Sequence, residues 1–280
     1  MTIIRAEDKA LAELLEPVRR MSRDIRAASV TLSDQEARYL VDAYYQMQDD
    51  RIRADHRSRQ MQEMGEPNLI LQWLGEQSST LEQQIKGALD KYTYSRPIGE
   101  WLRGIKGIGP VISAGLIANI DIKQCNTAGK LWAYCGMAPG RDKRVRGQKL
   151  GFNPAMKRIA FLAGESFKRL SSDDPAAYYR HWYDKRKTYE TAKNERLEYA
   201  DQAAAALAAK KYDPKTEAYK AYAAGKLPLA RIDRRAARWS CKLFLSHMQA
   251  VWWEMETGEK PPAPFPIAIM GHVDYVPPPI

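Results

Sequence analysis

The stretch Leu102-Arg103-Gly104-Ile105-Lys106-Gly107-Ile108-Gly109-Pro110-Val111-Ile112-Ser113-Ala114 decides how this chain is read. It places an apolar-x-Gly-apolar-Gly pattern between two helical runs. Gly107 and Gly109 give the backbone freedom a tight hairpin needs, and Pro110 suits the first turn of the helix that follows. The start of that helix presents backbone amides and the positive end of the macrodipole, where a phosphate docks readily. Arg103 and Lys106 stand ready to add charge-assisted contacts, with Ile108 between the glycines. Contacts of this kind fix a protein on a nucleic-acid backbone without reading its sequence. The alternative for the same residues is an ordinary αα-turn.

Downstream, Asp121 to Tyr134 carries a small-residue helix into Leu131-x-Ala133-Tyr134-x-Gly136-x-x-Pro139. A basic loop follows, then Asn153-Pro154-x-x-Lys157-Arg158. In this order the motifs resemble the helix-hairpin-helix C-terminal domain of the insertion sequence 110/116/902 transposases, over residues 98–170. The resemblance implies a role in DNA transposition or recombination. It also implies an N-terminal resolvase-like nuclease domain with four acidic metal ligands, joined through a coiled coil, and a serine beside a glycine in the loop after Gly-x-x-Pro. The chain instead opens on charged helices, and its loop from Gly140 to Pro154 contains no serine: Arg146 precedes Gly147. Without that hydroxyl the loop offers no acceptor for a covalent phosphodiester intermediate. The expectation is therefore a DNA-binding protein with no catalytic residue assigned.

The loop itself is cationic. Arg141, Lys143, Arg144, Arg146 and Lys149 fall within nine residues, and Lys157 and Arg158 follow on the next helix. Neutralising phosphates with such groups makes affinity fall steeply with salt. A second basic face is expected on the last helix, from about Ile232 to Glu256 and just before it. Arg231, Arg235, Arg238 and Lys242 recur there at i, i+4, i+7 and i+11. The run from Tyr178 to Tyr189 mixes aromatics with Arg180, Lys185, Arg186 and Lys187; aromatics at helical spacing are more often core than a stacking surface for unpaired bases.

Across all 280 residues the formal net charge is +10, and the pI is near 9.4. Residues 1–100 hold 14 basic and 17 acidic groups, against 30 and 17 in the remainder, so the polyanion-facing part lies after residue 100. Three scattered cysteines make no disulfide framework, and four separated histidines form no metal-binding pattern. No cofactor and no metal is expected. No segment reads as a signal peptide or membrane span, so a cytoplasmic protein with no membrane partner is expected.

The first hundred residues read as two long helices. Ser33-x-x-Glu36 is a capping box, the turn falls at Gly65-Glu66-Pro67, and Ile70, Leu74, Leu81, Ile85, Ala88 and Tyr92 form one apolar stripe. With almost no β-branched alternation, the fold class is mostly α: a helical hairpin or coiled-coil arm (1–97), a helix-hairpin-helix domain (98–170), a helical extension with an Ala/Lys-rich insertion at 200–226 (171–257), and a Pro-rich tail (258–280) read as a packing strap. The arm suggests a homodimer or higher assembly. The expected act is grip on the backbone of double-stranded or branched DNA from a mobile element or phage. Three alternatives remain open: a recombinase whose nucleophile is Ser113, Ser166 or Ser240, a guide-RNA-binding protein, and a purely structural phage component.

Overall fold

The computed structural model describes residues 21–138, 146–262 and 275–279. Among them every regular element is a helix, in agreement with the mostly α expectation. The described residues form two compact units, one within residues 1–100 and 110–119, the other within residues 101–109 and 120–280.

The first unit opens with α1 (Arg23–Ala27) and a 3-10 turn (Ala28–Thr31), then two long helices, α2 (Asp34–Glu63) and α3 (Leu69–Tyr94). The capping box starts α2 as its sequence requires. Glu36 N donates to Ser33 Oγ at 3.2 Å, and Ser33 N donates to Glu36 Oε2 at 2.9 Å. The bond from Ser33 N, and after it one that Ser33 Oγ donates to the same Oε2 at 2.8 Å, hold the Glu36 carboxyl below the usual carboxylate range. After Gly65 turns the chain, α3 runs back along α2: Ser58 O accepts from Asn68, Arg51 pairs with Glu82 at 2.8 Å, and Asp34 accepts from the Tyr92 hydroxyl at 2.8 Å.

Glu82 is buried between the two helices. Burial opposes its ionisation, yet hydrogen bonds from Arg51, Gln48 and Tyr44 outweigh that cost and keep its pKa low. The apolar stripe is only partly core. Ile85, Ala88 and Tyr92 are buried, whereas Ile70 and Leu74 beside the turn are 79% and 44% exposed.

The reason lies in a third helix. The helix opened by Pro110, designated α5 (Pro110–Asn119) because the short α4 (Gly99–Gly104) precedes it, packs on both α2 and α3. Arg38, near the start of α2, donates to Ala118 O at 2.6 Å. This end of the hairpin is thereby covered, away from Ile70 and Leu74. Nearly every residue of α5 is buried, as an all-round apolar helix demands.

In the second unit α11 (Leu229–Thr257) is the central element, packed by α6 (Ala128–Tyr134), α7 (Pro154–Arg169) and α8 (Tyr178–Glu195). Asn153 caps α7, its Oδ1 accepting from Ala155 N and Met156 N ahead of Pro154 in the first turn. Gly164 lets α7 approach α11 closely. A Cβ there would stand 3.2 Å from Ala237 O and 3.3 Å from Cys241 Cβ. Phe167, Tyr179 and Phe244 complete the core with ring centroids 4.8 to 5.3 Å apart, and Trp101 stacks on Phe244. Cys125, Cys135 and Cys241 are all buried as free thiols.

The Ala/Lys-rich segment folds into α9 (Ala200–Ala209) and α10 (Glu217–Ala223), which share an apolar cluster of Tyr199, Ala203, Tyr222, Leu227 and Ile232. Asn194 fixes the return into α11 by bonding both the N–H and the C=O of Leu227. Residues 275–279 of the tail lie against this unit through their carbonyls. Tyr178 Oη donates to Pro277 O at 2.7 Å, Trp101 Nε1 donates to Pro279 O at 3.1 Å, and His247 Nε2 meets Val276 O at 2.8 Å. A carbonyl only accepts, so Nε2 carries the proton and Nδ1 accepts from the Tyr179 hydroxyl. Burial pushes the pKa of His247 down to about 4, against the opposing bond to Val276. No helix among the described residues is long and apolar enough to cross a membrane.

Candidate nucleic-acid interface

The turn between α4 and α5 is built by residues 105–109. Ile108 N closes it on Ile105 O at 3.0 Å, and the Ile108 side chain is buried. Arg103 Nη1 donates to Ile108 O at 2.8 Å, stapling the turn from within. The two glycines have different surroundings. Gly107 has φ +94°, and a Cβ on it would lie 3.2 to 3.3 Å from Phe167, Leu170 and Ser166, whose hydroxyl donates to Gly107 O. Gly109 has open space where a Cβ would stand. The sequence assigned both glycines to phosphate approach; at Gly107 the space is filled by the protein's own α7. Lys106 pairs with Asp174 at 2.5 Å, and that bond, with the one from Ala176 N, holds the Asp174 carboxyl below the usual range.

In the basic loop, Arg141, Lys143 and Arg144 lie outside the described residues, while Arg146 and Lys149 are exposed. Lys157 rests over the Phe152 ring, 4.4 Å from its centroid, and Arg158 is exposed one residue further along α7.

The regular spacing on α11 resolves into separate environments. Arg231 is exposed, within hydrogen-bond reach of the Tyr222 hydroxyl. Arg235 binds the buried carboxylate of Glu190 at 2.7 Å and lies over the Tyr199 ring. Arg238 donates to Met137 O at 3.1 Å. Lys242 sits 4.0 Å from the Trp132 ring centroid, and burial followed by repulsion from Arg238 lowers its pKa. Helical spacing shows which residues share a face, not which neighbours cover it. Here α6 and α8 cover much of it. Glu190 stays ionised although burial opposes it, because Tyr199, Arg235 and Arg186 surround it.

The aromatic and basic run forms α8, and its rings are largely structural. Tyr179 and Tyr183 are buried, the Tyr183 hydroxyl bonds Asp233, and Trp182 packs near Trp239 with Lys185 over its ring. The three serines weighed as nucleophiles are occupied or enclosed. Ser113 and Ser240 are fully buried, Ser240 donates to Tyr179 O, and Ser166 is bonded to Gly107. Among the described residues no group of three or more His, Cys, Asp and Glu is placed to hold a metal ion.

Sequence reasoning missed one feature. Between α7 and α11 lies a groove of about 180 Å³. Its floor is apolar, from Met137, Ala160, Ala237 and Cys241. Lys157, Arg234, Arg238, Glu165 and Phe161 also line it, and Arg234 and Phe161 are exposed. The signal was present in the sequence: Met156, Ile159, Ala160, Ala163 and Phe167 make the buried stripe of α7, and Phe161 falls off it.

The fold and these surfaces define an all-helical protein, among its described residues, with cations and one exposed aromatic gathered around α7 and α11. Residues 99–149 match the family model described as Transposase IS116/IS110/IS902 family, inside the span where the sequence resemblance was read. The match connects this segment of the chain with transposition. No curated protein and no solved structure matches the chain.

Proposed function

We propose that this is a cytoplasmic DNA-binding protein of transposase type that holds the phosphate backbone of double-stranded or branched DNA during movement of a mobile element. The family match over residues 99–149 carries the reading. Its matched segment contains the hairpin at 103–109 and most of the basic loop, in the part of the chain where basic residues outnumber acidic ones 30 to 17. Lys106, Lys123, Lys130, Arg146 and Lys149 are exposed within the matched segment, and Arg158 is exposed just beyond it; backbone contacts of this kind give strong salt dependence with little sequence preference. The enclosed state of Ser113 and Ser240 favours binding over a displaced serine nucleophile.

Self-association accompanies this reading. Met64, Leu69, Ile70 and Leu74 leave an exposed apolar cluster at the α2–α3 turn, and pairing there would double the phosphate contacts of each assembly.

The test is a band-shift series on linear duplex, single-stranded and four-way-junction DNA and on a duplex RNA of equal length, at two ionic strengths. Salt-sensitive retention of duplex or junction DNA supports the reading. Preferential retention of RNA replaces it with guide-RNA binding, and a protein-DNA covalent adduct or a nick in supercoiled DNA ends the binder-only view. Absence of any salt-sensitive retention leaves a purely structural role.

A further inference from the structure

The groove between α7 and α11 has a composition that neither backbone binding nor core packing explains. Phe161 is 56% exposed on its lining, although the apolar stripe of α7 points elsewhere. Gly164, buried against α11, keeps side-chain bulk out of the floor. Among the described lining residues three cations, Lys157, Arg234 and Arg238, stand around this apolar space with one carboxylate, Glu165; Lys157 also rests over the Phe152 ring and Arg238 donates to Met137 O. An apolar slot with a surplus of positive charge fits a flat ring joined to an anion. Size is consistent with this: a cavity of about 150 Å³ already takes benzene, so a groove of about 180 Å³ has room for one ring system.

We infer that this groove receives one unstacked nucleobase of a bound strand, with Phe161 as its stacking partner and Lys157, Arg234 and Arg238 facing the adjacent phosphates. The inference rests on the nucleic-acid reading above and names its substrate form: a strand with an extrahelical or unpaired base. Aromatic stacking beside cations is the usual way to hold such a base without reading its identity. Unstacking is least costly where the base is bulged, mismatched or already single-stranded, so those substrates gain most.

The experiment uses the full chain and three oligonucleotides carrying 2-aminopurine: in a perfect duplex, in a one-base bulge, and in a single strand. The expected result is tighter binding of the bulged and single-stranded probes than of the duplex, with a change in 2-aminopurine emission in those two only. Phe161→Ala should cost about tenfold in affinity for them and leave duplex affinity unchanged, while Phe161→Trp restores it. Because Phe161 is exposed, its loss does not threaten the core, and an unchanged thermal unfolding curve verifies this. Salt-sensitive binding that is equal for all three probes, and indifferent to Phe161→Ala, overturns the inference and leaves backbone binding intact. Retention of no probe at any ionic strength overturns both. A Phe161→Ala protein that loses self-association, with probe affinities unchanged, assigns the groove to a second copy of the chain and likewise overturns the inference.

Discussion

Gly107 and Gly109 stand two residues apart and answer to different demands. Gly107 is held at φ +94° with α7 against it, so any side chain there is strained and crowded. Gly107→Ala should cost about 1–3 kcal/mol of stability in denaturant unfolding, with any effect on binding following from that loss. Gly109 faces open space, and Gly109→Val should leave stability nearly unchanged while weakening DNA binding, if the turn is where phosphate docks. The neighbouring ion pair gives a third expectation. Asp174 competes for Lys106, so Asp174→Asn should raise DNA affinity at low salt, measurable as a lower midpoint in a band-shift titration. His247 adds a pH dependence. Its folded pKa of about 4 lies below the unfolded value of 6.5, so the unfolded chain takes up the proton first as pH falls. The stability it contributes is fully present above pH 6.5, declines as pH drops, and is gone by about pH 4. Chemical denaturation at pH 7, 5.5 and 4.5 should show this decline, and His247→Gln should flatten it.

At the scale of elements, helices with strong local signals were readable from sequence. The capping box put the start of α2 at Asp34, and the final helix, expected from Ile232 to Glu256, runs from Leu229 to Thr257. What local pattern could not supply was the neighbour. Ile70 and Leu74 obey the same periodicity as Ile85 and Tyr92, yet the cover over the far end of the hairpin comes from α5, which begins only at Pro110, after the intervening α4. The same limit applies to Arg235 and Lys242. Their spacing predicts a cationic face, and only the fold brings Glu190 and Trp132 to them. The Ala-rich stretch at 200–226 read as low complexity because its core is a few tyrosines and small residues, which carry little hydrophobic signal until α9 and α10 close on each other. The approach of α7 to α11 offers an element-level check. Gly164→Val puts two methyl groups against Ala237 O and Cys241, and should destabilise the protein by about 1–3 kcal/mol in thermal or denaturant melts.

For the whole molecule the governing quantity is the uneven charge, with the excess of cations after residue 100. If each phosphate contact contributes about 0.9 to the slope of log affinity against log salt, then Arg146→Ala with Lys149→Ala should lower that slope by about 2 and weaken binding alike on unrelated sequences. A change confined to one sequence would contradict backbone recognition. Ile70→Glu with Leu74→Glu should shift sedimentation toward the monomer without loss of helical signal, since both side chains are already exposed.

The three native thiols are enclosed, and burial raises the pKa of each, that of Cys241 to about 12. Thiolate is the reactive form, so a maleimide dye meets almost no native target while the chain stays folded. A single exposed replacement such as Gln62→Cys or Lys211→Cys can therefore carry a fluorophore on the otherwise unaltered protein. Slow dye uptake by the parent chain would in turn time how often its interior opens.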